Sequence, residues 1–475
     1  MRRLLTFSLA ASLTVFGVSC SNFLSSDKVK LDPNNPSTAT ANQLFVAVQG
    51  GQFAQQEGII ALVGCLWTQS CTGTSNFLQT LEKYDIASED TPSAAFSSIY
   101  EGGGLVDIKA IEAAETAAGD LQYLGIAQVW EALTMAVAAD IYGDVPYREA
   151  ASGAATPHLD PQAQVYSDLQ TLLSTAITNL GGAGPGPGPL DLVYGGNTSK
   201  WIDAAYTLKA RLYMHTAETA TGFDATALGN AVTNALLGIK SGNDFKSKHT
   251  IAPGEDNLWF QFFDRSGFGQ YVVAGQNLAD LMVARSDPRL PEYFSGSSPG
   301  PFGGQGPPNA STQSPGGVST LNGTRNKPQF SQPIMTYIEN ELILAEAYFR
   351  LGQAANAQTH FDNARAAVPM PAKPIATVND IMEEKYVAMY QNIEVWNDYK
   401  RSCYPAITPI TAASGGAPAA FGGKVPGRLY YGTTEQNANS NVPNRSVQNQ
   451  TGGSVVSPAP ATAGFRNPND PNPCP

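Results

Sequence analysis

The chain has 475 residues, 42% of them hydrophobic and 14% charged, with 28 Lys and Arg against 40 Asp and Glu for a net charge of −12. That profile excludes a disordered polyelectrolyte, and an acidic balance without a basic tract excludes a surface built to release counterions from nucleic acid. Length alone fits about two to three domains, or one large domain with decorations.

Arg2 and Arg3, the apolar stretch Leu4 to Val18 and the small Ser19 before Cys20 read as a secretory signal over residues 1–19. The stretch is about 15 residues, short of the roughly 20 that a spanning helix needs. Gly17-Val18-Ser19-Cys20 has the small residues of a bacterial lipobox, with Gly17 where Leu is usual. Cys20 is therefore the expected lipidation site, and two or three acyl chains on it would anchor the protein stably. Residues 20–36 are a polar, Pro-punctuated tether, after which Ser37 or Thr38 is placed to cap a helix running through Leu44, Phe45 and Val48.

From Ser93 to Ala150 apolar residues recur at helical spacing until Gly143-Asp144-Val145-Pro146 stops them. Gln162 to Leu180 and Lys200 to Glu218 repeat the pattern around the breaker GGAGPGPGP at 181–189. Ile338, Leu342, Ala345 and Phe349 then mark one helix, Gly352 its end, and Ala354, Ala357, Phe361 and Ala364 the antiparallel return, a unit similar to a tetratricopeptide repeat. Val378 to Tyr399 reads as a further amphipathic helix bearing Ile381, Tyr386, Met389, Ile393 and Trp396. The stretches 237–271, 295–333 and 411–427 and the tail, 441–475 in the domain division, are rich in Gly, Pro, Asn or Ser and read as long loops. The expectation is an all-α scaffold of tetratricopeptide-like helix pairs over 37–440 with loop-rich decorations.

Beyond Cys20 the cysteines are Cys65, Cys71, Cys403 and Cys474, an even number in an exported chain, which permits disulfides. Cys65 with Cys71 would staple a loop and Cys403 with Cys474 would tie the tail to the body; four thiols allow three pairings. Without CxxC, HExxH, Walker A or GxGxxG, no metal or cofactor is expected. Gly296-Ser297-Ser298-Pro299-Gly300 matches GxSxG only formally, because a nucleophile elbow needs a strand before it and a helix after it. Asp140, Asp144, Glu383, Glu384, Glu394 and Asp398 keep a second reading open, an exported glycan hydrolase using a carboxylate pair. Their helical spacing suits solvated faces and caps better.

Several segments together resemble the SusD/RagB family of nutrient-binding lipoproteins: Leu31 to Pro36, Asp140 to Tyr147, Tyr194 to Asn197 with Lys200-Trp201 and Leu208 to Leu212, Asp287 to Leu290, Glu341 to Arg350, Glu384 to Tyr386 with Glu394 to Arg401, and Pro426 to Tyr431. Lys400 stands where the family often has Arg. The resemblance implies an all-α, tetratricopeptide-like body on the outer face of an outer membrane. There it would act as a lid over a SusC-like TonB-dependent transporter, capturing oligosaccharides or peptides without catalysis. A helical scaffold that binds only protein is a third reading. In the shared motifs Gly143 reads as a turn, Arg350 and Arg401 as ion partners, and Trp201 and Trp396 as core.

Ligand contacts are expected from aromatic loop residues, because a sugar ring's CH face packs on a flat π surface while its hydroxyls need polar neighbours. Leu66 to Phe77 supplies Trp67 and Phe77 beside Thr, Ser, Gln and Asn; Asn257 to Tyr271 supplies Trp259, Phe263, Phe268 and Tyr271.

Overall fold

The computed structural model describes residues 39–84, 90–296, 301–308, 312–410, 424–443 and 474. The signal, Cys20, the tether, most of the GxSxG segment, 411–423 and most of the tail lie outside the described residues.

Helix α1 (Ala41–Glu57) starts at Thr40, whose hydroxyl accepts from Gln43 N (3.3 Å) while the Gln43 side chain accepts from Thr40 N (3.0 Å). This reciprocal cap satisfies two otherwise orphaned donors, so Thr40 takes the role expected of Ser37 or Thr38. Next come α2 (Ile59–Trp67), β1 (Cys71–Gly73), α3 (Asn76–Glu82), α4 (Asp90–Tyr100), α5 (Leu105–Ala118), α6 (Leu121–Tyr142), α7 (Gln162–Leu180) and α8 (Thr198–His215). After the hairpin β2 (Glu218–Thr219) and β3 (Gly222–Phe223) comes α9 (Ala225–Ala235). Each of α5 to α9 packs on the next, and α9 packs on α13 (Tyr337–Arg350), which pairs with α14 (Ala354–Ala366). The stack is therefore continuous in space although the chain leaves it for about a hundred residues. Small residues at its seams, Ala210, Ala231, Ala235 and Ala347 among them, let the helices approach closely. Among the described residues, α6 alone has the length and apolarity to cross a bilayer, and its most apolar 18 residues are buried among its neighbours.

The excursion leaves the stack at Gly238, where a Cβ would meet Asn340 Oδ1 at 2.1 Å and Thr207 Oγ1 at 2.5 Å. Only glycine fits that approach. The excursion holds β4 (Phe245–Lys246), α10 (Leu258–Phe260), β5 (Val272–Ala274), α11 (Gln276–Ala284), α12 (Leu290–Tyr293) and β6 (Pro333–Met335). β4 pairs antiparallel with β6 and so closes the excursion at its base. The chain ends with α15 (Val378–Ala388), α16 (Glu394–Ser402) and α17 (Thr433–Ala438).

The single helix expected over Val378 to Tyr399 is thus two. Gln391 sits at φ 63°, which no helix interior accepts, yet Met389, Tyr390 and Ile393 in the break stay buried, so the apolar rhythm runs on across the turn. Trp201 and Trp396 are core residues. The cysteines are joined Cys65 to Cys71 and Cys403 to Cys474.

α6, α8, α13, α15 and α16 meet around a buried ionic network. His215 Nδ1 lies 2.9 Å from Asp140 Oδ1 and Nε2 lies 2.8 Å from Glu394 Oε1. Two carboxylates on two ring nitrogens require both nitrogens to donate, hence an imidazolium. Burial alone would lower the His215 pKa; the two carboxylates outweigh burial and raise it to about 9. Asn397 Nδ2 donates to Asp140 and Glu394 (both 3.1 Å), Lys385 Nζ to Asp398 (2.8 Å), and Arg401 to both Asp398 and Glu346. Arg211 grips Glu339 with two bonds of 2.6 and 2.7 Å.

Because the folded-state pKa of His215 lies above the ordinary 6.5, its contribution is complete below pH 6.5 and is lost as pH rises through about 9. Urea unfolding between pH 6 and 10 should therefore show about 3 kcal/mol of stability disappearing across that window. His215→Gln should flatten the slope; an unchanged slope would mean that His215 is not charged in the native state.

Candidate ligand-binding site

The site forms where the excursion folds back on the first helices. After the Cys65–Cys71 disulfide, β1 pairs antiparallel with β5, setting Cys71 opposite Ala274 and Gly73 opposite Val272. Gly73 has no room for a side chain: a Cβ would lie 2.6 Å from the Leu78 carbonyl. Thr74 extends the clasp, its N–H donating to Tyr271 O (2.9 Å) and its hydroxyl to Gln270 O (3.0 Å). α3 then carries Phe77 to the rings of the excursion.

Those rings are held by one buried residue, Asn257. Its N–H donates to Pro328 O (2.7 Å), its Oδ1 accepts from the N–H groups of Trp259 (3.0 Å) and Phe260 (3.2 Å), and its Nδ2 donates to Phe330 O (3.2 Å) and Glu57 (3.4 Å). This cap starts the short α10 and the wider π-turn Gln261–Arg265 that follows it. A π-turn spaces side chains differently from an α-helix and brings Phe262 and Phe263 to adjoining directions, their rings edge to face at 5.0 Å.

The result is a ring platform. Phe262 and Phe268 stack at 5.1 Å, Phe77 meets them edge-on at 5.9 and 6.3 Å, and Tyr271 lies 5.9 Å from Phe268. Phe77 is 44% exposed, and Phe262, Phe268 and Tyr271 are half-buried. Asp264, bonded to Asn326 (2.8 Å), and exposed Gln270 supply polar neighbours. Beside the platform lies a cavity of about 290 Å³ whose wall includes Phe262, Phe263 and Trp259, with Glu57, Gln261 and Ser266 as its polar members. A second cavity of about 530 Å³ shares Leu258 and Gln261 with the first and carries His249. The two are linked by an ion pair: His249 Nε2 lies 2.9 Å from both oxygens of buried Glu57. Burial lowers the pKa of His249, but its bond to Glu57 more than compensates and the net direction is upward.

Of the six ring residues expected from sequence, the structure brings five together: Phe77, Phe268 and Tyr271 at the surface, Trp259 (5% exposed) and Phe263 (4%) on the cavity wall. Trp67 must be corrected. It is the last residue of α2 rather than a loop residue, is 0% exposed, donates from Nε1 to Leu81 O (2.8 Å), and lies edge-on to Trp396 at 4.9 Å. Its nearest polar neighbours Thr68, Gln69, Ser70 and Thr72 are also buried, Thr68 donating to Gly64 O and Gln69 to Thr408 O. Sequence reasoning missed Phe262, although it sits in the ring-dense segment. It also missed Glu57 and His249, which are 192 positions apart and carry no local signal.

The carboxylates weighed for hydrolysis lie elsewhere. Asp140, Asp144, Glu384, Glu394 and Asp398 are buried, and Glu383 pairs with Arg285 (3.0 Å) and Lys373 (3.5 Å). Among the described residues Asp140, His215 and Glu394 are close enough to suggest a cation site. Their geometry opposes it, because the carboxylates approach different ring nitrogens and an ion on one nitrogen faces away from the other carboxylate.

Burial decides what each ring does for stability. Trp67→Ala should cost about 3–5 kcal/mol in urea unfolding, while Phe77→Ala should cost less than about 1 kcal/mol. Equal losses would place both rings in the core.

A family model described as starch-binding, associating with outer membrane, and SusD-like matches residues 33–432. Among solved structures, a SusD/RagB family protein from Bacteroides thetaiotaomicron superposes with a TM-score of 0.68 at 20% identity, covering 85% of this chain and 95% of that one. A chitin-binding protein superposes at 0.71 and 20% identity, covering 91% and 100%. A chitin-binding SusD homologue from Flavobacterium johnsoniae gives 0.67 and 18%, covering 91% and 98%. No curated protein sequence matches the chain. The family match spans the helical stack, the excursion and both halves of the ring platform, and the chain belongs to the SusD-like family.

Proposed function

We propose that this protein is a cell-surface lipoprotein that captures oligosaccharides and delivers them to a SusC-like TonB-dependent outer-membrane transporter. The observation that carries the proposal is the platform of contacting rings, Phe77, Phe262, Phe268 and Tyr271, with polar groups at its border. Aromatic faces take the CH surface of a sugar, and the polar border takes its hydroxyls. The family's description as starch-binding and the names of the two chitin-binding relatives support a glycan over a peptide. Lipidation at Cys20 would hold the protein at the outer face of the outer membrane, and the reading uses no metal, cofactor or catalytic residue.

The test is a calorimetric screen of the chain lacking residues 1–20 against soluble glycans and peptides, with product analysis of every hit. Saturable glycan binding with the sugar recovered intact is expected, and Phe77→Ala and Phe268→Ala should each weaken it about tenfold without changing Tm appreciably. Shortened sugars would instead favour the hydrolase, and binding confined to peptides would replace the substrate class. In cells, Cys20→Ser should move the protein from the membrane to the soluble fraction; retention in the membrane would overturn the anchor.

A further inference from the structure

We infer that the larger cavity is a second sugar subsite, so that the protein holds an extended glycan along a path from the ring platform past the smaller cavity to the exposed face of α1, and discriminates between glycans by chain length. The inference rests on the glycan reading above and deepens it. The parts of the path adjoin through shared residues. Phe262 belongs to the platform and lines the smaller cavity, and Leu258 and Gln261 line both cavities. At about 530 Å³ the larger cavity falls within the roughly 300–1,000 Å³ of pockets that enclose small ligands, so a chain seated on the platform has room there for further rings.

The floor of this cavity is α1, where Val46, Gly50 and Ala54 recur at steps of four and so share one exposed stripe. Side chains this small keep the floor low, and a Cβ built at Gly50 meets no atom within 4 Å. The opposite wall is the segment 248–256, which is already held in place. Thr250 donates from N–H to Glu255 O (3.1 Å) and from its hydroxyl to Glu255 Oε2 (2.8 Å). His249 has both ring nitrogens engaged, Nδ1 with Glu255 O (3.1 Å) and Nε2 with Glu57 (2.9 Å). A wall fixed in this way loses little entropy when it binds. Two lining residues keep hydrogen-bonding capacity. Among the described residues, Lys248 Nζ and Gln261 Oε1 have no partner, the first able only to donate and the second only to accept. A sugar hydroxyl does both, and the ring's CH face gains by leaving water for Val46, Phe53 and Leu258.

The experiment measures, by calorimetry, the dimer and hexamer of α-1,4-linked glucose and of β-1,4-linked N-acetylglucosamine on the wild-type chain and three variants. In a series that binds, wild type should hold the hexamer at least about tenfold more tightly than the dimer, equivalent to about 55 Å² more apolar surface buried. Gly50→Leu, and the double variant Gly50→Leu with Ala54→Leu, raise the floor in two steps with side chains that suit a helix and offer no flat ring. The hexamer's advantage should fall at each step, to about twofold in the double variant, with the dimer affinity and Tm unchanged. Phe268→Ala should weaken both lengths and preserve their ratio. Equal wild-type affinities for the two lengths would overturn the subsite while leaving the glycan reading intact, as would an advantage that the filled variants leave undiminished. Failure of both series, and of every other glycan, to bind wild type would overturn the glycan reading itself.

Discussion

Charge pairing in the interior is the constraint on which the rest of the structure depends. His215, Asp140 and Glu394 come from three helices that the sequence keeps far apart, 75 and 179 positions between partners, and the imidazolium can be satisfied only when all three are in register. Arg401 does the same between α16 and α13 through Glu346, and Arg211 between α8 and α13 through Glu339. Buried ions contribute little net stability, since desolvation offsets much of the attraction, but a displaced partner leaves a charge uncompensated at a cost of several kcal/mol. A stack of alternating small and large apolar residues could slide by a turn and still bury its surface. The network removes that freedom.

Fixing α13 against α8 also fixes the excursion between them. Arg211 donates to Ile334 O (2.9 Å) as well as to Glu339, so the strand that closes the excursion hangs from a network residue. At its far end the excursion is held by Asn257, Glu57 and the β1–β5 clasp. Between these two attachments the ring segment has little freedom, and a pre-positioned surface loses less entropy when it binds.

The parts of this architecture that were legible in sequence are those encoded locally. The α13–α14 pair could be read because Leu342, Ala345, Phe361 and Ala364 repeat at helical steps around Gly352, and these residues do pack together. The ring-rich segment 257–271 could be read because aromatic side chains beside Gly, Asp and Ser suit a loop. Illegible were the features set by distant partners. Glu394 and Asp398 look like a solvated helix face until His215, Lys385 and Arg401 are placed beside them. Trp67 reads as available because Thr68 and Ser70 beside it suit water, whereas their hydrogen bonds turn inward.

The same division bears on chemistry. Burial raises the pKa of Glu346 and Glu394, but their cationic neighbours win and hold both carboxyls well below the usual range. A carboxylate so strongly held as an anion is a poor proton donor near neutral pH, because a general acid needs a pKa close to the working pH. Glu346 and Glu394 are thus structural anions, and neither lies on the ring platform. A surface of phenyl faces with a polar border recognises a sugar through contacts that are individually weak and reversible. That is the chemistry suited to holding a glycan intact and releasing it.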